Sequence, residues 1–224
     1  MKIKTKDMLF LAMFAALAAV SMLIIRVDYM FLTYDPKDVF TVIAGFVFGP
    51  LYALAVAFTV AFIEMVTISA TGPYGLLMNT ISSAAFVCTA AVIYQKWRSL
   101  AGAVIGLIVG CVTVTCVMLL WNYIITPVYM SDTSEGVAGM RSFVASNMLL
   151  QVFLPFNLLK SSLNAAIAMI LYKPVAAVLK FSSKDKTSVT EFIKKGRPNI
   201  GVLIASVFVI LTVVLLFLIL QGRI

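Results

Sequence analysis

Leu154-Pro155-Phe156-Asn157-Leu158-Leu159-Lys160-Ser161-Ser162-Leu163-Asn164 puts a lysine and two asparagines inside apolar sequence that continues on both sides, from Met148 to Phe153 and from Ala165 to Tyr172. The hydrophobic flanks predict a spanning helix. With 3.6 residues per turn, Asn157, Lys160, Ser161 and Asn164 fall on one face. A lysine near the middle of a bilayer costs roughly 3 kcal/mol even on lenient insertion scales, so this face must turn into a helix bundle and find a partner there. An internal carboxylate satisfies that demand, with Glu64 as the candidate, and so does a bound ligand.

The composition agrees with a membrane protein. The chain has 224 residues, 62% of them hydrophobic and 12% charged, and a mean hydropathy of +1.09, which does not fit a water-soluble core. The net charge of +8 sits in short flanks between apolar runs, where the positive-inside bias accounts for it, so nucleic acid is not implied. Cys88, Cys111 and Cys116 are an odd set within apolar segments and lack CxxC spacing, which indicates neither a disulfide framework nor a zinc site. The apolar run from Met8 to Ile25 exceeds the hydrophobic core of a signal peptide and has no convincing cleavage site, so it reads as the first transmembrane helix.

That first helix, from about Lys6 to Ile25, carries Ala12, Ala15, Ala16 and Ala19, two overlapping small-xxx-small registers that allow close helix approach. The approaching helix is either internal or part of a separate subunit. Arg26 to Asp38 is expected to be a polar, aromatic loop with a turn at Asp35-Pro36 and Asp38 as a helix cap. Within it Tyr29, Phe31 and Tyr34 are interfacial aromatics or the lid of a site. Gly49-Pro50 divides the apolar run Val39 to Ser69 into a short second helix and a third from Pro50 to Thr67, with Glu64 near its far end. A fourth helix is expected from Leu76 to Gln95, and a fifth from Leu100 to Ile125 with Gly102, Gly106 and Gly110 in a close-packing row. After a loop from Tyr129 to Ser146 comes the Lys160 helix, ending near Lys173-Pro174. A charged linker, 179–199, leads to a seventh helix, 200–221, whose apolar run Ile200 to Leu220 is about 31 Å long as a helix.

Lysines and arginines orient the chain. With the N-terminus inside, Lys2, Lys4, Lys6, Lys96, Arg98, Lys173, Lys180, Lys184, Lys186, Lys194, Lys195 and Arg197 lie inside, twelve against Arg26, Lys37, Arg141 and Arg223 outside. Asn79, Asn122 and Glu64 then lie toward the outer ends of their helices, Tyr34 lies in the outer loop, and the Asn157, Lys160, Asn164 face forms the floor below them.

Several chemistries are excluded. The sequence has no GxxxxGK[ST] phosphate loop and no histidine, which removes P-loop ATP hydrolysis, HExxH metalloprotease chemistry and Ser-His catalysis. Glu64 and Lys160 are the ionisable groups expected deep in helices, too few for a proton-coupled carrier. A small-molecule site lined by amides, aromatics and one lysine remains.

Four motifs in chain order carry a resemblance: Tyr34-Asp35-Pro36-Lys37-Asp38; Gly45-Phe46-Val47-Phe48-Gly49-Pro50; Thr71-Gly72-Pro73-Tyr74-Gly75-Leu76-Leu77-Met78-Asn79; and Pro155-Phe156-Asn157-Leu158-Leu159-Lys160. Together with the alanine-rich first helix they resemble the riboflavin-specific substrate-binding (S) component of energy-coupling factor (ECF) vitamin importers. The resemblance implies an all-α integral membrane fold, a six-helix S-component-like bundle over residues 1–178, with the seventh helix an accessory outside the usual six. It implies a non-catalytic subunit in a prokaryotic plasma membrane, N-terminus cytoplasmic, that takes riboflavin as transported ligand, needs no cofactor or metal, and works with a coupling transmembrane subunit and two ATPases. Asn157, Lys160 and Asn79 would bind the vitamin, and Ala12, Ala15, Ala16 and Ala19 would face the coupling subunit. Asn122, Tyr34, Glu64 and Asn164 complete the candidate ligand set from their expected positions. Ser161 stands where the family often has glycine. Another vitamin, or a stand-alone secondary carrier, is the competing reading.

Overall fold

The computed structural model describes residues 5–131, 136–181 and 200–220. The elements are α1 (Thr5–Ile24), β1 (Val27–Tyr29), β2 (Leu32–Tyr34), α2 (Lys37–Phe48), α3 (Pro50–Thr67), α4 (Pro73–Lys96), α5 (Leu100–Met130), α6 (Gly136–Phe143), a π-helical segment (Val144–Phe153), α7 (Leu154–Phe181) and α8 (Ile200–Leu220). Among the described residues six helical stretches are long and apolar enough to cross a membrane: α1, α3, α4, α5, the α6 to α7 run, and α8. The short α2, 12 residues, is packed between α1, α3, α4 and α7 and supplies much of the buried core, including Val39, Val42, Ile43 and Phe46. The charged linker beyond Phe181, Asp132 and Glu135 lie outside the described residues.

Local sequence explains the breaks. Gly49 adopts φ 104, a left-handed conformation that favours glycine, and Pro50 follows at the first position of α3, where its missing N–H leaves no bond unmade. The glycine row of α5 faces α4. A Cβ at Gly106 would stand 2.8 Å from the Ala90 carbonyl oxygen and one at Gly110 2.9 Å from that of Phe86, so the two backbones meet directly.

Three expectations need correction. The Arg26 to Asp38 stretch is not a loop throughout: Val27 pairs with Tyr34, Asp28 with Thr33 and Tyr29 with Leu32 in an antiparallel hairpin. Asp38 does not cap α2 but lies within its first turn, where its Oδ1 accepts a 2.5 Å hydrogen bond from Ser83 and ties α2 to α4. The segment before the lysine helix is also helical rather than loop, and its last part is π-helical. Pro155 explains that register, because it has no N–H to offer the Gln151 carbonyl and its ring crowds that group; the chain widens instead, with Leu154 N–H reaching Leu149 O.

Helix directions collect the polar residues at one end. The starts of α2, α4 and α7 meet the ends of α3 and α5 there, under the hairpin. At the opposite end Phe46, Tyr94 and Tyr172 stack into an aromatic plug, with ring centroids 4.5 Å (Phe46–Tyr94) and 5.7 Å (Phe46–Tyr172) apart and the two tyrosine hydroxyls hydrogen-bonded. That end is closed.

Candidate functional site: a polar cavity over a buried ion network

The cavity at the polar end has a volume of about 160 Å³ and brings together Asn79 from α4, Asn122 from α5, Asn157 and Lys160 from α7, and Glu64 from α3. The hairpin contributes Phe31, Leu32 and Thr33 as one wall, with Asp35 beside them; Ser69 to Thr71, Tyr74 and Gly75 form another.

The amides differ in what they have left to offer. Asn122 donates to the Met118 carbonyl at 2.7 Å and accepts from the Thr126 hydroxyl at 3.0 Å, so its second amide hydrogen and one lone pair of its oxygen remain for the cavity. Asn157 donates to the Phe153 carbonyl at 2.8 Å, a bond that the π-to-α transition places next to Pro155 and that fixes the amide plane. Its carbonyl oxygen and second hydrogen can read a ligand edge.

Tyr34 and Asn164, expected to line the site, stand behind it. The Tyr34 hydroxyl donates to Asn164 Oδ1 at 3.1 Å, and Asn164 donates to the Asp35 carbonyl at 3.4 Å, so the pair clamps the hairpin's exit strand onto α7. Both are buried and neither lines the cavity.

Glu64 is not the partner of Lys160. Lys160 Nζ donates to Asp35 Oδ2 at 2.9 Å and to the Thr33 carbonyl at 3.2 Å, while Glu64 pairs with Lys37 at 2.5 Å. Asp35 also lies 3.5 Å from Lys37, so one carboxylate bridges two ammonium groups. The buried charge is therefore larger than Glu64 and Lys160: Asp35, Lys37 and Asp38 belong to it, each under 5% exposed. The sequence alone places these three in an outer loop, although the Asp-Pro-Lys-Asp spacing carries both signs of charge into the first turn of a helix with no polar face beyond it.

The Asp35 carboxyl lies between β2 and α2, outside the spanning helices. Burial pushes it up, but the adjacent charges of Lys160 and Lys37 and their hydrogen bonds outweigh this and hold it at about 2, below the ordinary 3.8. A depressed carboxylate pKa contributes stability that is complete above its unfolded value and is lost as pH falls through the folded one. The network is therefore expected to hold unchanged from neutral pH down to about 4 and to fail toward about 2. Thermal melting in detergent across that range, compared with the double variant Asp35→Asn with Lys160→Met, which lacks the pair, checks this: the wild type should lose stability toward about pH 2 more steeply than the variant, and parallel loss in both would contradict the pairing.

The alanine face of α1 divides. Ala15 and Ala19 turn inward and are buried with Phe14, Ala18 and Met22, whereas Ala12 and Ala16 are exposed. The expectation that all four form one docking surface is corrected: bundle packing already covers two of them.

Comparison with known proteins agrees with this architecture. Residues 6–176 match the family described as ECF transporter, substrate-specific component. The chain is similar to the riboflavin transporter RibU of Staphylococcus aureus (strain TCH60), 29% identical over 154 residues that cover 67% of this chain and 78% of the relative. It is also similar to the riboflavin transporter FmnP of Bacillus subtilis (strain 168), 26% identical over 168 residues covering 70% and 85% of the two chains. Among solved structures, the S component of a bacterial ECF transporter superposes with a TM-score of 0.62 at 27% identity, covering 78% of this chain and 98% of the other. The match spans the polar cavity and all its lining residues, and the chain belongs to the substrate-specific component family of ECF transporters.

Proposed function

We propose that this chain is the riboflavin-binding subunit of an ATP-driven importer of a prokaryotic plasma membrane, taking the vitamin from outside and delivering it through a separate energising module. The carrying observation is the convergence of Asn79, Asn122, Asn157 and Lys160 on one cavity at one end of the bundle. A flavin's pyrimidine edge alternates carbonyl acceptors with an N–H donor, which amides match, and Phe31, Tyr74 and Phe156 supply apolar surface for the ring system. Relatives named as riboflavin transporters support the same ligand. The excess of Lys and Arg in the segments on the N-terminal side supports a cavity that opens outside and a cytoplasmic N-terminus. A coupling subunit would dock on the exposed Ala12 and Ala16 of α1, and two ATPases would supply the hydrolysis for which this sequence has no P-loop.

Purified protein is expected to carry or take up flavin, seen as yellow absorption and as quenched flavin fluorescence on titration. Tighter binding of an unrelated vitamin sinks the ligand assignment. Lys160→Met keeps an apolar stem and removes the donor, so it is expected to weaken flavin binding by about 1.5–3 kcal/mol, or roughly ten- to a hundred-fold. An unchanged affinity would confine Lys160 to its Asp35 pair.

Charge also bears on the ligand. Lys37 and Lys160 face three buried carboxylates, Asp35, Asp38 and Glu64, so the site has no surplus cation for a phosphate. Arg26 at the rim faces Asp28 at 3.4 Å. Riboflavin is therefore expected to bind at least about tenfold more tightly than flavin mononucleotide, a difference of about 1.4 kcal/mol. Competition titration of the two ligands decides it, and equal or reversed affinities would place a phosphate subsite at the rim.

A further inference from the structure

We propose that α8 braces the hairpin wall of the cavity, with Phe217 as a positioning residue that sets how fast ligand leaves. The inference rests on reading the cavity as the flavin site, and α8 lies beyond the residues 6–176 that match the family. The solved S component is covered over 98% of its length by 78% of this chain, so this helix is an addition to the shared bundle.

The helix is not merely surrounded by lipid. Most of it is exposed, but Ser206, Val213 and Phe217 are buried and Ile210 is partly so, a 4-3-4 spacing that makes one narrow seam of the kind two packed helices share. The seam packs on α7. Its last member reaches the cavity wall: the Phe217 ring centroid is 6.0 Å from Tyr34 and 6.1 Å from Phe156. Phe156 lines the cavity and stacks on Tyr29 of β1 at 6.4 Å, while Tyr34 closes β2 and is followed by Asp35, which holds Lys160. One phenyl ring thus backs Tyr34 of β2 directly and Tyr29 of β1 through Phe156 of α7.

The hairpin needs that support. It has three paired positions, and its tight turn places Met30, a non-glycine residue, at φ 54. A lone two-stranded ribbon of this size is marginal in stability, and a non-glycine left-handed residue adds strain. A cavity of about 160 Å³ is also smaller than the roughly 300 Å³ at which sites for ligands of drug size begin, so enclosing a tricyclic ring there calls for a wall that can shift. The hairpin is the wall made of the fewest paired residues, and α8 stands behind it.

The test uses the full chain in lipid nanodiscs. Phe217→Ala is compared with Phe217→Leu, which restores bulk, and with Phe208→Ala, which truncates an aromatic of the same helix that is 69% exposed. Flavin association and dissociation are followed by fluorescence, and backbone hydrogen exchange of residues 27–34 is measured without ligand. Phe217→Ala is expected to raise the dissociation rate about tenfold without slowing association, and to speed exchange in the hairpin selectively. Phe217→Leu should recover most of both effects and Phe208→Ala should show neither. Dissociation and hairpin exchange both unchanged in Phe217→Ala would overturn the brace, as would exchange quickened equally across α3, α4 and α5, which marks general destabilisation. If the wild-type chain takes up no flavin, the ligand assignment fails, and hairpin exchange alone still decides whether α8 braces the wall.

Discussion

Asp35→Asn is expected to destabilise the protein by about 3–5 kcal/mol, enough to leave little folded material after detergent extraction. The carboxylate is buried and accepts from Lys160 at 2.9 Å, with Lys37 at 3.5 Å. Neutralising it leaves Lys37 with Glu64 but leaves Lys160 with neutral acceptors only, the Thr33 carbonyl and at most an amide oxygen, so it becomes an ammonium without its counter-charge whose side chain is 12% exposed. Removing that ammonium as well should restore the balance. The double variant Asp35→Asn with Lys160→Met is therefore expected to recover most of the lost stability, a coupling of about 2 kcal/mol or more in unfolding measurements. Additive effects of the two changes would show that the pair does not act as a unit. If Lys160 contacts the flavin as proposed, affinity in the double variant should stay roughly ten- to a hundred-fold below the wild type even though the fold returns; full affinity there would make the lysine purely structural.

This pairing also marks where sequence reading succeeded and where it stopped. The Lys160 stripe announced itself because a charge in an apolar helix has to be explained, and spacing alone placed Asn157, Lys160 and Asn164 on one face. Breaks were equally legible: Gly49-Pro50 and the ends of α3 and α8 follow from backbone chemistry that each residue carries locally. Partner identity was not. Lys160 meets Asp35 across 125 residues and Tyr34 meets Asn164 across 130, and no local pattern specifies which helix end stands beside which.

The hairpin escaped for a different reason. Its turn uses Met30 and Phe31 in place of an Asn-Gly or Gly-Gly pair, so the usual signal is missing and the aromatics read as a loose interfacial loop. The π-helical segment has no sequence signature at all beyond Pro155, whose effect on the preceding turn depends on whether the chain can widen there. The inward rotation of Ala15 and Ala19 is also invisible in composition, since both alanine registers of α1 have the same spacing and only the positions of α2 and α3 decide which one is covered.

That last distinction gives the other large expected effect. Ala12→Leu with Ala16→Leu should leave flavin binding by the isolated protein nearly unchanged and reduce ATP-dependent uptake to background when the energising module is co-expressed. Ala12 and Ala16 are exposed and one helical turn apart, bordered by exposed Leu9, Met13 and Val20, a small-xxx-small surface on which a partner helix can approach to backbone distance. Two leucines would hold that helix off. Ala15→Leu with Ala19→Leu forms the contrasting pair, because both positions are buried against the bundle and overpacking there costs about 1–3 kcal/mol at each site; this variant should lose folding and binding together. The accessory helix does not complicate the comparison, since α8 packs on α7 while α1 packs on α2 and α3. Retained uptake in the Ala12, Ala16 variant would move the docking surface elsewhere. Uptake by the wild-type chain alone, in vesicles without ATP, would overturn the partner requirement itself and make the chain a carrier in its own right.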